Sequence, residues 1–122
     1  MKKILVVEDN QSNLELFLDI LSMKPYDCMA SSNGEEAIQK AISENPDLIL
    51  LDIQLPGLDG VEVIKRLRQD PKTQKTKIIA LTAHAMKGDR DYYLSQGFDG
   101  YISKPIVVKD FLKEISNLLD EP

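Results

Sequence analysis

The sequence predicts an α/β fold: a five-stranded parallel sheet with helices on both faces, in one domain covering residues 1–122. Three observations predict it. Short continuous apolar runs, several of them β-branched, alternate with longer stretches whose apolar residues recur at helical spacing. The alternation repeats five times at about 24 residues per unit, and strands alternating with helices imply parallel strands joined by right-handed crossovers. No Gly/Ser linker, charge run or low-complexity tract divides the chain, so no second domain is expected.

The elements follow in order. Ile4-Leu5-Val6-Val7 is apolar throughout and suits a strand covered on both faces. Leu14, Phe17, Leu18 and Leu21 then form a helical stripe, with Asn10 placed to cap its N-terminus. Tyr26-Asp27-Cys28-Met29-Ala30 is a weaker second strand. Ala37, Ile38, Ala41 and Ile42 mark the second helix, which Asn45-Pro46 ends. Leu48-Ile49-Leu50-Leu51 is the third strand. Val61, Ile64 and Leu67 give the third helix, with Asp59 and Glu62 at capping-box spacing and Asp70-Pro71 as its stop. Lys77-Ile78-Ile79-Ala80-Leu81 is the fourth strand. A weaker helix runs from Lys87 to Gln96, and Gly97 suits its left-handed end. Gly100-Tyr101-Ile102 is a weaker fifth strand. Val108, Phe111, Leu112, Ile115, Leu118 and Leu119 form the cleanest stripe, for the last helix.

Composition narrows the function. Hydrophobic residues make up 43% and charged residues 29%, which excludes a disordered chain. A chain of this size buries roughly two thirds of its unfolded surface and needs no metal or disulfide staple. No stretch approaches the ~18–20 apolar residues of a membrane span. Only Ile4 to Val7 follow the basic Met1-Lys2-Lys3, too short for the apolar region of a signal peptide. The single Cys28 cannot form an internal disulfide, which fits a reducing cytoplasm. Fifteen basic against 20 acidic residues give a formal charge of −5. That balance disfavours direct nucleic-acid binding and anionic membranes.

In an open parallel sheet, ligands bind beyond the carboxyl ends of the strands. Glu8 and Asp9 follow the first strand, Asp52 the third, Thr82 the fourth and Lys104 the fifth; only the second ends blandly, in Ser31-Ser32-Asn33. Carboxylates there are costly to desolvate unless something offsets their charge. Oxygen ligands without a His or Cys cluster favour Mg²⁺ over zinc. Mg²⁺ shares its shell with phosphate, so phosphoryl chemistry is the natural use, with an Asp carboxylate as nucleophile and a lysine and hydroxyl holding the phosphoryl oxygens.

The runs Val6-Val7-Glu8-Asp9-Asn10, Leu50 through Gly60, Leu81-Thr82-Ala83 and Ser103-Lys104-Pro105 together resemble the receiver domain of two-component response regulators. Each is weak alone, but four in order at successive strand ends are specific. The strings Ala85 to Arg90 and Gly97 to Ile106 are similar to stand-alone DivK-type regulators and to receivers attached to hybrid histidine kinases. The resemblance implies a doubly wound, flavodoxin-like (βα)5 domain with strand order 2-1-3-4-5. It implies that Asp52 is the phosphoacceptor and that Glu8, Asp9, Asp52 and the backbone carbonyl of Gln54 hold Mg²⁺. Thr82 and Lys104 would engage the phosphoryl group. Ala83 would leave it accessible and offer its N–H. Tyr101 would be an aromatic switch that turns inward when Thr82 moves, and Lys104-Pro105 would be a cis peptide. The implied protein is a cytoplasmic signalling switch rather than an enzyme, assisting only its own phosphorylation and dephosphorylation. Its partners would be a histidine kinase or histidine phosphotransfer protein and a downstream protein, bound through the fourth helix, fifth strand and fifth helix.

Plainer roles exist for each residue. Asp52 can be a helix cap or a solvated loop acid, Glu8 and Asp9 can serve the N-cap that Asn10 already supplies, Thr82 can be an ordinary strand or cap threonine, and Lys104 a solvated loop lysine. An edge tyrosine such as Tyr101 is commonly a packing residue with its hydroxyl in water. His84, the sole histidine, is read as a loop residue near the site rather than a phosphoryl carrier, and Cys28 and the methionines as packing residues. Three other functions compete. A small Asp-nucleophile phosphohydrolase needs a second Asp two residues on, where this chain has Gln54. A nucleotide-binding module needs a glycine-rich phosphate cradle after the first strand, which is absent. A partner-binding receiver that is never phosphorylated would not need the intact acidic, hydroxyl and lysine set.

Overall fold

The computed structural model describes residues 1–83 and 88–119. Five strands alternate with five helices: β1 (Lys3–Val7), α1 (Gln11–Leu21), β2 (Asp27–Ser31), α2 (Gly34–Glu44), β3 (Leu48–Asp52), α3 (Gly60–Gln69), β4 (Lys77–Thr82), α4 (Asp89–Ser95), β5 (Gly100–Ser103) and α5 (Val108–Leu119). The strands form one sheet in the order β2-β1-β3-β4-β5, and all neighbouring pairs are parallel. This is the doubly wound α/β architecture expected from the sequence.

The apolar strands are continuous because each face of the sheet needs its own core. Side chains alternate across a strand. Ile4, Val6, Leu48, Leu50, Ile79 and Leu81 therefore point to one face, where α1 and α5 bring Phe17, Leu21, Phe111 and Ile115. Leu5, Val7, Ile49, Leu51, Ile78 and Ala80 point to the other, against Ala37 and Ala41 of α2 and Val63, Ile64 and Leu67 of α3. Phe17 and Phe111 stack with their centroids 5.7 Å apart, joining α1 to α5. Phe111 is fully buried, so Phe111→Ala is expected to cost about 3–5 kcal/mol in urea unfolding, the usual range for a truncated core phenylalanine.

The expected caps form. The Asn10 side chain accepts the Asn13 N–H at 3.0 Å, and the Asp59 side chain accepts that of Glu62 at 3.0 Å. Asn45 ends α2 in the left-handed region with φ 50°, and Gly97 closes the α4 region with φ 107°. Some details differ from the sequence reading. The buried stripe of α3 runs through Val63, Ile64 and Leu67, leaving Val61 only half-buried. Val108 is 42% exposed and lies outside the α5 stripe. The second strand begins at Asp27, because the Tyr26 N–H is spent in a turn to the Lys24 carbonyl. The described part of α4 begins at Asp89; Lys87, where that helix was expected to start, lies outside the described residues, as does His84. No described helix is long and apolar enough to cross a membrane.

Candidate functional site

Strand register builds the site. β1 and β3 are neighbours, and Val7 pairs with Leu51. The residues just beyond, Glu8 and Asp52, therefore emerge side by side at the carboxyl edge. Asp52 itself pairs with Leu81 on β4, which places Thr82 next along that edge. Thr82 in turn pairs with Ser103, and its carbonyl accepts the Lys104 N–H at 2.7 Å. Three strand pairings thus bring residues 96 positions apart in sequence into direct contact.

The contact is an ionic cluster. The Lys104 ammonium donates to Glu8 Oε1 at 2.7 Å and to Asp52 Oδ2 at 3.0 Å. Each acid uses its other oxygen locally: Glu8 Oε2 accepts the Asn10 N–H at 3.2 Å, and Asp52 Oδ1 accepts the Gln54 N–H at 2.9 Å. Glu8 is only 1% exposed and Asp52 only 3%. Asp9 is exposed, yet one of its oxygens lies within 4.8 Å of oxygens from both Glu8 and Asp52. The Lys104 ammonium also sits 5.8 Å above the centre of the Phe17 ring, a cation–π contact that helps hold it over the acids. Sequence reading gave Phe17 a core role only, since nothing in a helical stripe marks which member will face a distant lysine.

One lysine against three carboxylates leaves negative charge in excess. Burial is the main cause that pushes the Glu8 carboxyl up to about 7. Sharing a proton with Asp52 and the charge on Asp52 add to the rise, against Lys104 and the Asn10 N–H. Burial works against the Lys104 ammonium, but hydrogen bonds to Glu8 and Asp52 outweigh it and hold its pKa above the ordinary value. A divalent cation would resolve the excess. All three donors are hard oxygens, the ligand type that Mg²⁺ prefers. The residue set fits Mg²⁺ by donor chemistry and by charge.

The remaining expected residues lie around this cluster or beside it. Thr82 is 2% exposed and ends β4. Ala83 is exposed immediately after it. Gln54 is exposed in the turn after β3, held there by its N–H on Asp52. The Lys104–Pro105 peptide is cis. Tyr101 lies on β5, half-buried, its ring stacked on Tyr93 at 5.8 Å. Its hydroxyl is not in water: it is buried and has no hydrogen-bond partner among the described residues. The ring therefore already lies against the core in this state. Burial also raises the Tyr101 pKa, aided by the charge of Asp89. An unmade buried hydrogen bond costs about 1–3 kcal/mol, so Tyr101→Phe is expected to raise stability by about 1 kcal/mol in denaturant unfolding.

Comparison with known proteins agrees with this architecture. The response regulator receiver domain matches residues 4–116. The chain is 42% identical over 120 residues to the polar-differentiation response regulator DivK of Brucella anthropi, covering 98% of each chain. DivK of Brucella ovis gives the same identity and coverage. Among solved structures, a putative response regulator from Chloroflexus aurantiacus superposes with TM-score 0.92 at 29% identity over 98% of both chains. The receiver domain of the sensor histidine kinase PA1611 from Pseudomonas aeruginosa superposes with TM-score 0.90 at 31% identity, again over 98% of both. That receiver was solved with a magnesium ion coordinated in its active-site cleft. By sequence pattern, whole-chain identity and fold, the chain belongs to the response regulator receiver domain family of two-component signalling proteins.

Proposed function

We propose that residues 1–122 form one receiver domain whose Asp52 takes a phosphoryl group from a histidine kinase or histidine phosphotransfer protein. The observation that carries this reading is a buried carboxylate at a strand end, held by one lysine and backed by two further acids. Glu8, Asp9, Asp52 and the Gln54 carbonyl would hold Mg²⁺. When bound, that ion neutralises the phosphoryl oxygens and lets an anion approach an acidic site.

The residues of the chain do the rest. A carboxylate oxygen of Asp52 attacks phosphorus, the bond from phosphorus to the donor nitrogen breaks, and the donor histidine keeps the electron pair. The product is an acyl phosphate on Asp52. Lys104, already on Asp52, shifts to the new phosphoryl oxygens. Thr82 supplies a hydroxyl and Ala83 a backbone N–H to the others. Phosphorylation adds roughly two negative charges, so contacts made only in that state bias the fold toward a second arrangement. Thr82 and Tyr101 would relay the change to the face formed by α4, β5 and α5, where a downstream protein binds.

A small groove of about 140 Å³ beside Lys104, lined by Asn13, Leu16, Phe17, Pro105 and Ile106, supports docking of a protein donor. Leu16 is 48% exposed there, an apolar anchor next to the acceptor. The reading places the protein in the cytoplasm as a switch with no substrate turnover and no direct nucleic-acid contact. A phosphohydrolase is disfavoured because the Gln54 amide is not an acid and cannot protonate a leaving group. The test is incubation with acetyl phosphate and Mg²⁺. One phosphoryl group is expected, labile to hydroxylamine, on the peptide containing Asp52 and absent when Mg²⁺ is chelated. A label stable to hydroxylamine, or none at all, would overturn the reading.

A further inference from the structure

We propose that Phe17 is a positioning residue of the phosphoryl site: its ring face holds the Lys104 ammonium beside Asp52, and that hold sets how fast Asp52 is phosphorylated. This rests on the phosphorylation reading above and adds to it a residue of the core.

Lys104 has a fixed base and a mobile tip. Its backbone N–H donates to the Thr82 carbonyl at 2.7 Å, which fixes where its side chain starts. From there a flexible four-carbon stem carries the charge. Two of the three ammonium donors reach Glu8 Oε1 and Asp52 Oδ2. The groove of about 140 Å³ that Lys104 lines with Leu16, Phe17, Pro105 and Ile106 lies alongside. One water needs roughly 10–15 Å³ of such space, so the tip has room to lean away from the acids. The acids are also the ligands that Mg²⁺ would take, so their hold on Lys104 weakens when the ion binds.

The Phe17 ring supplies a hold that no metal competes for. Its centre lies 5.8 Å from Lys104 Nζ, inside the ~6 Å over which a ring face attracts a cation. The Lys104 side chain is only 15% exposed, so water screens this attraction less than at an open surface. The ring is itself braced. Phe17 is buried on α1 and stacks on Phe111 of α5, with centroids 5.7 Å apart and planes 21° from parallel. Phe111 is fully buried in the same core. Lys104 is thus seated on a two-ring stack that joins α1 to α5.

A side chain of the same bulk without a negative face would fill the core and leave Lys104 free to lean. Placement matters because a donor already in position needs no reorganisation when charge develops on the phosphoryl oxygens. The rate of phosphorylation therefore depends on the π face of Phe17 and not on its bulk alone. The two members of the stack separate these roles: Phe111 shares the packing, whereas the cation contact is made by Phe17.

The experiment puts pentafluorophenylalanine, a ring of nearly the same shape whose face is no longer negative, in place of Phe17 or of Phe111. Labelling at Asp52 with acetyl phosphate and Mg²⁺ is measured for both, beside wild type and Phe17→Leu. Proton exchange between the Lys104 ammonium and water is followed by NMR without Mg²⁺ or donor. The fluorinated ring in place of Phe17 is expected to slow labelling about fivefold and to speed ammonium exchange about as much, since the lost attraction is of that order. Phe17→Leu should match it, while the fluorinated ring in place of Phe111 should stay within about twofold of wild type in both. The inference is overturned if wild type labels and the fluorinated ring in place of Phe17 leaves either rate unchanged. It is equally overturned if the same ring in place of Phe111 slows labelling as much. Absence of labelling in wild type overturns the phosphorylation reading, and this one with it.

Discussion

Asp52→Asn is expected to abolish phosphoryl uptake, lowering the labelling rate with acetyl phosphate and Mg²⁺ by on the order of a thousandfold or more, because an amide oxygen is no nucleophile toward phosphorus. The geometry adds a second, opposite readout. Asp52 raises the Glu8 pKa both through a shared proton and through its charge. Removing that charge lets Glu8 ionise opposite Lys104 alone, at the same 2.7 Å contact. The variant is therefore expected to be more stable than wild type at pH 8 without Mg²⁺, by about 1–2 kcal/mol in urea unfolding. Loss of labelling together with lost stability would mean that Asp52 is a structural acid and that phosphorylation is blocked only through misfolding.

The second large effect is pH dependence. Glu8 titrates near 4.5 in an unfolded chain and at about 7 in the folded protein. Between those values the folded state binds the extra proton, so stability is full below about pH 4.5 and falls as pH rises toward 7. The loss contributed by this one group is on the order of 2–3 kcal/mol. Glu8→Gln has no such proton to lose, and its stability profile should lack that slope. Mg²⁺ must bind the ionised cluster, so its apparent affinity should weaken by up to about tenfold per pH unit below 7. At millimolar Mg²⁺ and pH 8, wild type should regain the stability it lost while Glu8→Gln gains much less. Urea midpoints from pH 5 to 8, with and without Mg²⁺, check both halves. Parallel profiles for the two proteins would show that Glu8 carries its charge without strain and that no competition exists.

How much was legible in the sequence follows from where each signal resides. β1, β3 and β4 were readable because a strand covered on both faces must be apolar at every position. The last residues of β3, β4 and β5 were not, because Asp52, Thr82 and Ser103 are polar and still pair in the sheet. The α3 stripe went astray by preferring Val61 to Val63. Val61 lies three residues before Ile64 and Val63 four before Leu67, so both fit a helical stripe; in the fold Val63 packs against Gly34, where a Cβ would come within 2.7 Å of it. Val108 looked like the first residue of the α5 stripe but sits in its exposed first turn.

The site was legible as a set of strand ends, not as a geometry. That Glu8, Asp52 and Lys104 meet depends on the order of strands in the sheet, which local pattern does not encode; the family resemblance supplied it. The hydrogen bonds that Arg68 donates to the carbonyls of Gly97 and Thr76 and to the Asp99 carboxylate had no sequence signal at all. Carbonyls belong to every residue, and folding alone decides which of them converge. The buried Tyr101 hydroxyl was equally hidden, since an edge tyrosine ordinarily keeps that group in water and here the ring stacks on Tyr93 of α4 with the hydroxyl buried.

The central claim is that Glu8, Asp9 and Asp52 gather one divalent ion beside Lys104. Paramagnetic broadening of backbone amide resonances during a Mn²⁺ titration at pH 8 tests it most directly, since Mn²⁺ takes the same oxygen ligands and the effect reports distance. Selective broadening at Glu8, Asp9, Asp52 and Gln54, reversed by excess Mg²⁺ and lost in Asp9→Asn, is the predicted result. Broadening centred on Glu35 and Glu36 at the start of α2, or no broadening at millimolar ion, would contradict it.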